Sequence, residues 1–505
     1  MPNKAPRLTT GYRSTRRNLS ARMSVGNIVI SQQHIRNTII SMHTAPLPVN
    51  PHGSPLKGIR GRILTFKADP FINDDEEACY DCHDDGLIVI QDGYIVAAGD
   101  YNATAPEYPH LRDIDTYPDA VIMPGFVDCH THYVQSPMIG SYGKTLLDWL
   151  DRYAYPTEAR LSDKSLADEV AREFFRQTLA QGTTTANVFA TTFATSVNAF
   201  FEESERYDTR MICGKVLQDR NLPEALKDPS ADESIAVAED LLRKWHRRGR
   251  QLYAVAPRFA PTSTPRQLEL AGELYQRYID SGVYMHTHLD ETQSEIDWVA
   301  QLFPGAANYT DVYRRHGLVD RLSVMAHCCI VGEDEWQTLH DCGCGVAHCP
   351  SSNLFLGDGE FDYRAAMKRS RPVRAGIGTD TGGGTSFSMI RQLGDAYKVA
   401  MLRQGGLSAL KSFYMATRGG AGALHLENTI GSIAPGFEAD IAVVDLHPSE
   451  FVEWRMKYAA TIFEKLFVIA TLGPDNLIRA TYVAGRKVYD RTRGQKWMYA
   501  DDMER

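Results

Sequence analysis

From residue 58 onward the chain alternates between two hydrophobic textures. Short runs rich in β-branched residues, apolar at every second position, occupy 62–67, 86–91 and 94–99, and Asp92-Gly93 supplies a two-residue hairpin turn. The same texture returns at 433–446, 480–483 and 487–489, with a turn at Gly485-Arg486. These pieces predict one small β-sandwich domain assembled from both flanks, over 58–123 and 430–494. Between them, apolar runs at 125–129, 184–189, 211–217, 252–256, 283–288, 322–326, 345–348 and 373–378 alternate with helical stretches such as 166–180, 265–278 and 292–302. Eight β-α units over about 250 residues predict an α/β fold, a (β/α)8 TIM-type barrel over 124–429. A doubly wound sheet is the alternative, but no Gly-X-Gly-X-X-Gly follows a strand.

The ends of the chain read differently. Residues 1–57 are rich in Ser, Thr, Asn and Arg and contain no acid. Low acidity with Arg and Ser is the composition of a mitochondrial transit peptide, yet composition is weak evidence of targeting. A basic, disordered extension on a cytoplasmic protein is the preferred reading, and 495–505 reads as a tail. The first 68 residues hold 11 Lys and Arg, so the remainder carries 43 basic against 63 acidic residues within an overall charge of −9. An acidic body argues against nucleic acid as a partner, and no apolar run approaches the ~20 residues needed to span a bilayer. Nine scattered cysteines resemble reduced thiols more than a disulfide framework. The Cys79-X-X-Cys82 pair lacks a second pair and is a poor zinc signal.

The polar residues gather where barrel enzymes keep their chemistry, at the carboxyl ends of strands. The first strand ends in His130-Thr131-His132, whose histidines point the same way because side chains alternate along a strand. The fifth runs into His286-Thr287-His288 and Glu291, the sixth ends at His327, and the eighth in Gly378-Thr379-Asp380 followed by three glycines. Three neutral imidazoles and a carboxylate suit zinc or ferrous iron. The run 382–384 lacks the Lys-Ser/Thr of a phosphate loop, so close backbone approach at the barrel mouth is expected there.

The ordered set PGFVDCHTH, HTHLDE, MAHC and GTDTGGG resembles the amidohydrolase superfamily, and specifically its zinc deaminases. HYVQSPMIGSYG, LLDWLDRYAYPTE, QGTTTANVF, AVAPRFAPTSTP and HCPSSNLFLGDG extend the likeness over roughly 58–489. The resemblance implies His130, His132, His288 and Asp380 as metal ligands, His327 beside the metal, and Glu291 as proton shuttle. It implies Gln135, Arg258 and Phe259 as purine contacts, alongside His288, Glu291 and Asp380, and guanine as substrate, hydrolysed with water to xanthine and ammonia. Binuclear relatives place a carboxylated lysine at the end of the fourth strand, where this chain has Arg258, so one Zn2+ per chain is expected. The resemblance further implies a homodimer. Lys215 is expected at the core edge or substrate side, and His286 behind the metal ligands. The rival readings are a related deaminase acting on 8-oxoguanine, a pterin or an aminotriazine, and a non-catalytic barrel scaffold.

Overall fold

The computed structural model describes residues 46–50 and 52–493. The basic stretch 1–45 and the tail from 494 lie outside them. Residues 47–50, near the end of the expected extension, run along a hairpin: Leu47 N–H donates to the Val96 carbonyl at 2.8 Å and Asn50 N–H to Gln91 Oε1 at 2.7 Å.

Eight parallel strands form the barrel: β1 (Phe126–His132), β2 (Thr183–Phe189), β3 (Arg210–Gly214), β4 (Leu252–Pro257), β5 (Tyr284–Leu289), β6 (Ser323–His327), β7 (Gly345–His348) and β8 (Arg374–Ile377). Each of the eight expected runs became one of them. The third run is interrupted at Lys215, beyond which Val216–Leu217 pairs separately with β4. The seam between β8 and β1 is closed by side chains as well as backbone. Asp380 N–H donates to the His130 carbonyl at 2.9 Å, and Asp128 accepts from Thr379 N–H at 2.9 Å and from the Thr379 hydroxyl at 2.5 Å.

Strands covered by helices on the outside are apolar on both faces, and β1, β2, β5 and β6 are buried throughout. The covering helices are amphipathic. In Lys164–Ala180 the Asp163 side chain caps the start, and Ala167, Val170, Ala171, Phe174, Phe175 and Thr178 form the buried stripe. Removing one such ring, as in Phe174→Ala, costs about 3–5 kcal/mol.

The flanks make a seven-stranded mixed sheet. Asp113–Pro124, which leads directly into β1, pairs with the N-terminal Lys57–Phe66 on one side and the C-terminal Ile441–Asp445 on the other. The C-terminal flank also contains helices Glu450–Met456 and Ile462–Leu472, between the runs expected as strands. Under the barrel, at the start of β3 and just before β4, Arg210 and Arg250 meet Glu438 and Asp440 of this flank. Among the described residues no helix is long and apolar enough to cross a membrane.

Candidate active site

The residues that end β1, β5, β6 and β8 converge. His130 Nε2 lies 3.2 Å and His132 Nε2 3.6 Å from Asp380 Oδ1, and His327 Nε2 lies 3.9 Å from Asp380 Oδ2. His132 Nε2 and His288 Nε2 are 3.1 Å apart. Two triads, His130-His132-Asp380 and His130-His288-His327, each bring their ligand atoms within 4.8 Å of one another. Burial and neighbouring imidazoles hold His132 and His288 well below the usual histidine range, though Asp380 pulls the other way; burial also carries His327 down to about 3. Neutral rings keep a lone pair to donate. Burial pushes the Asp380 carboxyl up, but the His130 hydrogen bond and the surrounding histidines outweigh it, and the group stays well below the carboxylate norm. The buried His327 Nε2 has no hydrogen-bond partner, and His130 Nε2 faces only the Asp380 carboxylate. Orphaned nitrogens around an anionic carboxylate fit a divalent metal and would be costly otherwise.

Two of the outward nitrogens are already occupied, while His132 Nδ1 is buried without a partner. His130 Nδ1 lies 2.8 Å from His286 Nε2, and His288 Nδ1 2.7 Å from the Arg258 carbonyl. A ring held through Nδ1 presents Nε2, which fixes both tautomer and direction. His286 therefore stands behind His130, as expected. The backbone is also strained at these strand ends: Asp290, His327 and Asp380 have φ of 50°, 70° and 44°. Non-glycine residues enter this region at a cost and cluster at functional sites.

A cleft opens over the centre, lined by His132, His288, His327 and Asp380, by Gln135, Arg258 and Phe259, and by the apolar Leu146, Trp149 and Leu356. Glu291 lines it too, 3.4 Å from His327 Nδ1, and burial, with Asp358, Glu295 and Asp380 nearby, raises its carboxyl well above the usual range. Asn353 donates to the same His327 Nδ1 at 2.9 Å. Lys215 is elsewhere, buried in a 2.6 Å ion pair with Asp228 and bonded to Ser234 and Thr192. Gly382 has φ 122°, and a Cβ there would stand 2.2 Å from Gln135 Oε1, so the close approach is to Gln135.

Comparison with known proteins agrees with this geometry. The model of the Amidohydrolase family matches residues 121–488. The chain belongs to the amidohydrolase family. It is 42% identical to the guanine deaminase of Escherichia coli over 86% of this chain and 98% of that protein. The solved E. coli enzyme superposes with a TM-score of 0.83 at 41% identity, covering 86% of this chain and all of that one. The guanine deaminase of Bradyrhizobium japonicum gives a TM-score of 0.84 at 32% identity, over 87% of this chain and 100% of that one. The human guanine deaminase is 31% identical over 72% of this chain and 82% of its own length.

Within this amidohydrolase the residues singled out in the sequence as metal or purine contacts line one cleft, except His130, which is fully buried behind it in the same His/Asp group. Two that were not singled out stand beside it. Glu158, fully buried, joins Gln135 and Arg258. Asp358 shares a hydrogen bond with Glu291. Both lie inside stretches that resemble the family, but only the fold shows what a buried acid meets.

Proposed function

We propose that this chain hydrolyses guanine to xanthine and ammonia, with one zinc ion held by His130, His132, His288 and Asp380. The observation that carries the reading is the junction, in one cleft, of a His/Asp metal group with a donor and acceptor pair suited to a purine edge. Relatives that match over most of this chain are guanine deaminases, which favours guanine over an aminotriazine or a pterin.

His130, His132, His288 and Asp380 would hold a divalent metal, which would supply Lewis-acid chemistry and lower the pKa of water from about 15.7 towards about 7. The chain's own residues do the rest. Asp380 accepts a proton from the attacking water, whose oxygen bonds to purine C2. Glu291, kept in its acid form by burial, donates to ring N3 and makes C2 electrophilic. Asp380 passes its proton to the exocyclic nitrogen, the C2–N bond breaks and ammonia leaves, while the C2 hydroxyl closes to the carbonyl of xanthine and returns its proton to Glu291. His327 steadies the developing tetrahedral centre by hydrogen bonding. Arg258 donates to the O6 carbonyl, and Phe259 offers the ring an apolar face.

A homodimer and a cytoplasmic location complete the reading, to be checked by light scattering and by imaging of the tagged full chain. The deciding experiment follows ammonia release from a panel of aminated heterocycles with metal content measured alongside. Guanine is expected as the preferred substrate with about one zinc per chain. Faster turnover of another ring, or two equivalents of metal, would overturn the assignment.

A further inference from the structure

Glu158 lies in the short helix Tyr155–Ala159, far in sequence from both of its partners, and is fully buried. Gln135 Nε2 donates to its Oε1 at 2.8 Å, and Arg258 Nη1 donates to its Oε1 at 3.0 Å and its Oε2 at 2.8 Å. Arg258 is itself buried, and its guanidinium sits 5.5 Å from the centre of the Tyr155 ring. Burial works against that charge, and Glu158, with Tyr155 and Asp380, more than offsets it.

The consequence is chemical. An ionised carboxylate only accepts hydrogen bonds, so the amide of Gln135 must turn its NH2 towards Glu158. Its carbonyl oxygen then points the other way, into the space that glycine at 382 leaves free. The arginine can only donate. Gln135 and Arg258, which both line the cleft, thus have fixed and opposite polarity, one acceptor and one donor, set by a carboxylate that lines no part of it.

Resting on the guanine reading, we infer that Glu158 is a positioning residue that sets the specificity of the pocket, locking Gln135 as acceptor and Arg258 as donor so that the site selects a ring edge with a carbonyl beside an N–H. A 6-oxopurine offers that edge. A 6-aminopurine offers the reverse, an amino donor beside a ring-nitrogen acceptor, and it meets two mismatches that a freely rotating Gln135 would halve by turning over.

The test uses the full, metal-loaded chain and two ligands that differ only at this edge, hypoxanthine and adenine, with binding read by calorimetry and by competition against guanine turnover. In Glu158→Gln the new amide can donate as well as accept, so Gln135 is released. The preference for hypoxanthine over adenine is expected to fall about tenfold or more, the scale of one lost charge-assisted hydrogen bond. The KM for guanine should rise more than kcat falls, with metal content unchanged. Glu158→Asp keeps the charge beside Arg258 but is one methylene shorter and cannot hold both partners. It is expected to melt near wild type with an intermediate preference, and it carries the test if Glu158→Gln does not fold. An unchanged preference in a folded, metal-replete variant would overturn the inference while leaving guanine turnover intact. A wild type that fails to deaminate guanine but still discriminates the pair would instead overturn the proposed reaction and leave this role standing.

Discussion

The two ends of the barrel bury charge to opposite effect. At the base, Arg210 and Arg250 are matched by Glu438 and Asp440; burial raises the Glu438 carboxyl, but its hydrogen bonds and ion pairs with the two arginines outweigh that and hold it below the usual range. At the mouth, Asp290, Glu291, Glu295 and Asp358 are equally buried, and the strongest influences on them are burial, neighbouring acids and hydrogen bonds rather than an arginine or lysine. Burial therefore wins there: Asp290 and Glu291 are raised well above the carboxylate norm and Glu295 to about 7. The same desolvation makes a structural clamp where a counter-charge is supplied and a proton store where it is withheld. The base holds the flanking sheet to the barrel. The mouth keeps acids that can give a proton near neutral pH.

Metal removal breaks the mouth alone and has the largest effect. Dialysis against a chelator is expected to abolish ammonia release and to lower Tm, and excess zinc to restore both; a ligand at a thousand times its Kd stabilises by about 4 kcal/mol. A chelated protein with an unchanged Tm would show that the histidine centre holds no metal. Glu291→Gln comes next. It removes the stored proton and keeps the shape, so kcat should fall by about 10²–10⁴-fold with metal content retained. A near wild-type rate would end the proton-shuttle role.

Breaking the base moves stability instead. Glu438→Gln leaves Arg210 without a carboxylate and Arg250 with Asp440 alone, both guanidinium groups being largely buried, and a broken buried ion pair costs about 3–5 kcal/mol. The expected result, by denaturant unfolding, is a loss near the lower end of that range with kcat/KM unaltered at low temperature. A fall in kcat/KM without loss of stability would mean that the two ends are not independent.

The contrast also divides what the sequence could tell. His130, His132, His288, Asp380 and Glu291 were legible because each follows a recognisable strand within a few residues, and barrel topology brings strand ends together. The eight strands were legible for the same local reason. Glu158 was not, since its partner Arg258 is 100 residues away, and neither was the base cluster, in which Arg210 reaches Glu438 across 228 residues. An isolated Arg or Glu carries no mark of its partner. The break at Lys215 was hidden likewise, because Val216 and Leu217 continue the apolar run while the lysine turns aside to Asp228.

The smallest effect sharpens the comparison most finely. Asp358 is pushed up to about 8, chiefly by burial, and accepts a hydrogen bond from Glu291, with Asn353 also close and Asp380 and Glu295 facing it. The folded protein holds this proton up to about pH 8, whereas the unfolded chain releases it near the ordinary value of 3.8. Its contribution is therefore complete below that ordinary value and is lost as pH rises through 8, because folding must then bury a second negative charge beside the store. Asp358→Asn removes the titration and keeps the shape. Its Tm, measured from pH 6 to 9, should fall less steeply than that of the wild type, with the largest relative gain at pH 9; each pKa unit recovered is worth about 1.4 kcal/mol. Glu295 and Asp290 still titrate in the variant, so the slope should shrink rather than vanish. Parallel curves would mean that Asp358 is already ionised at neutral pH, and the mouth would then be storing one proton fewer than its burial implies.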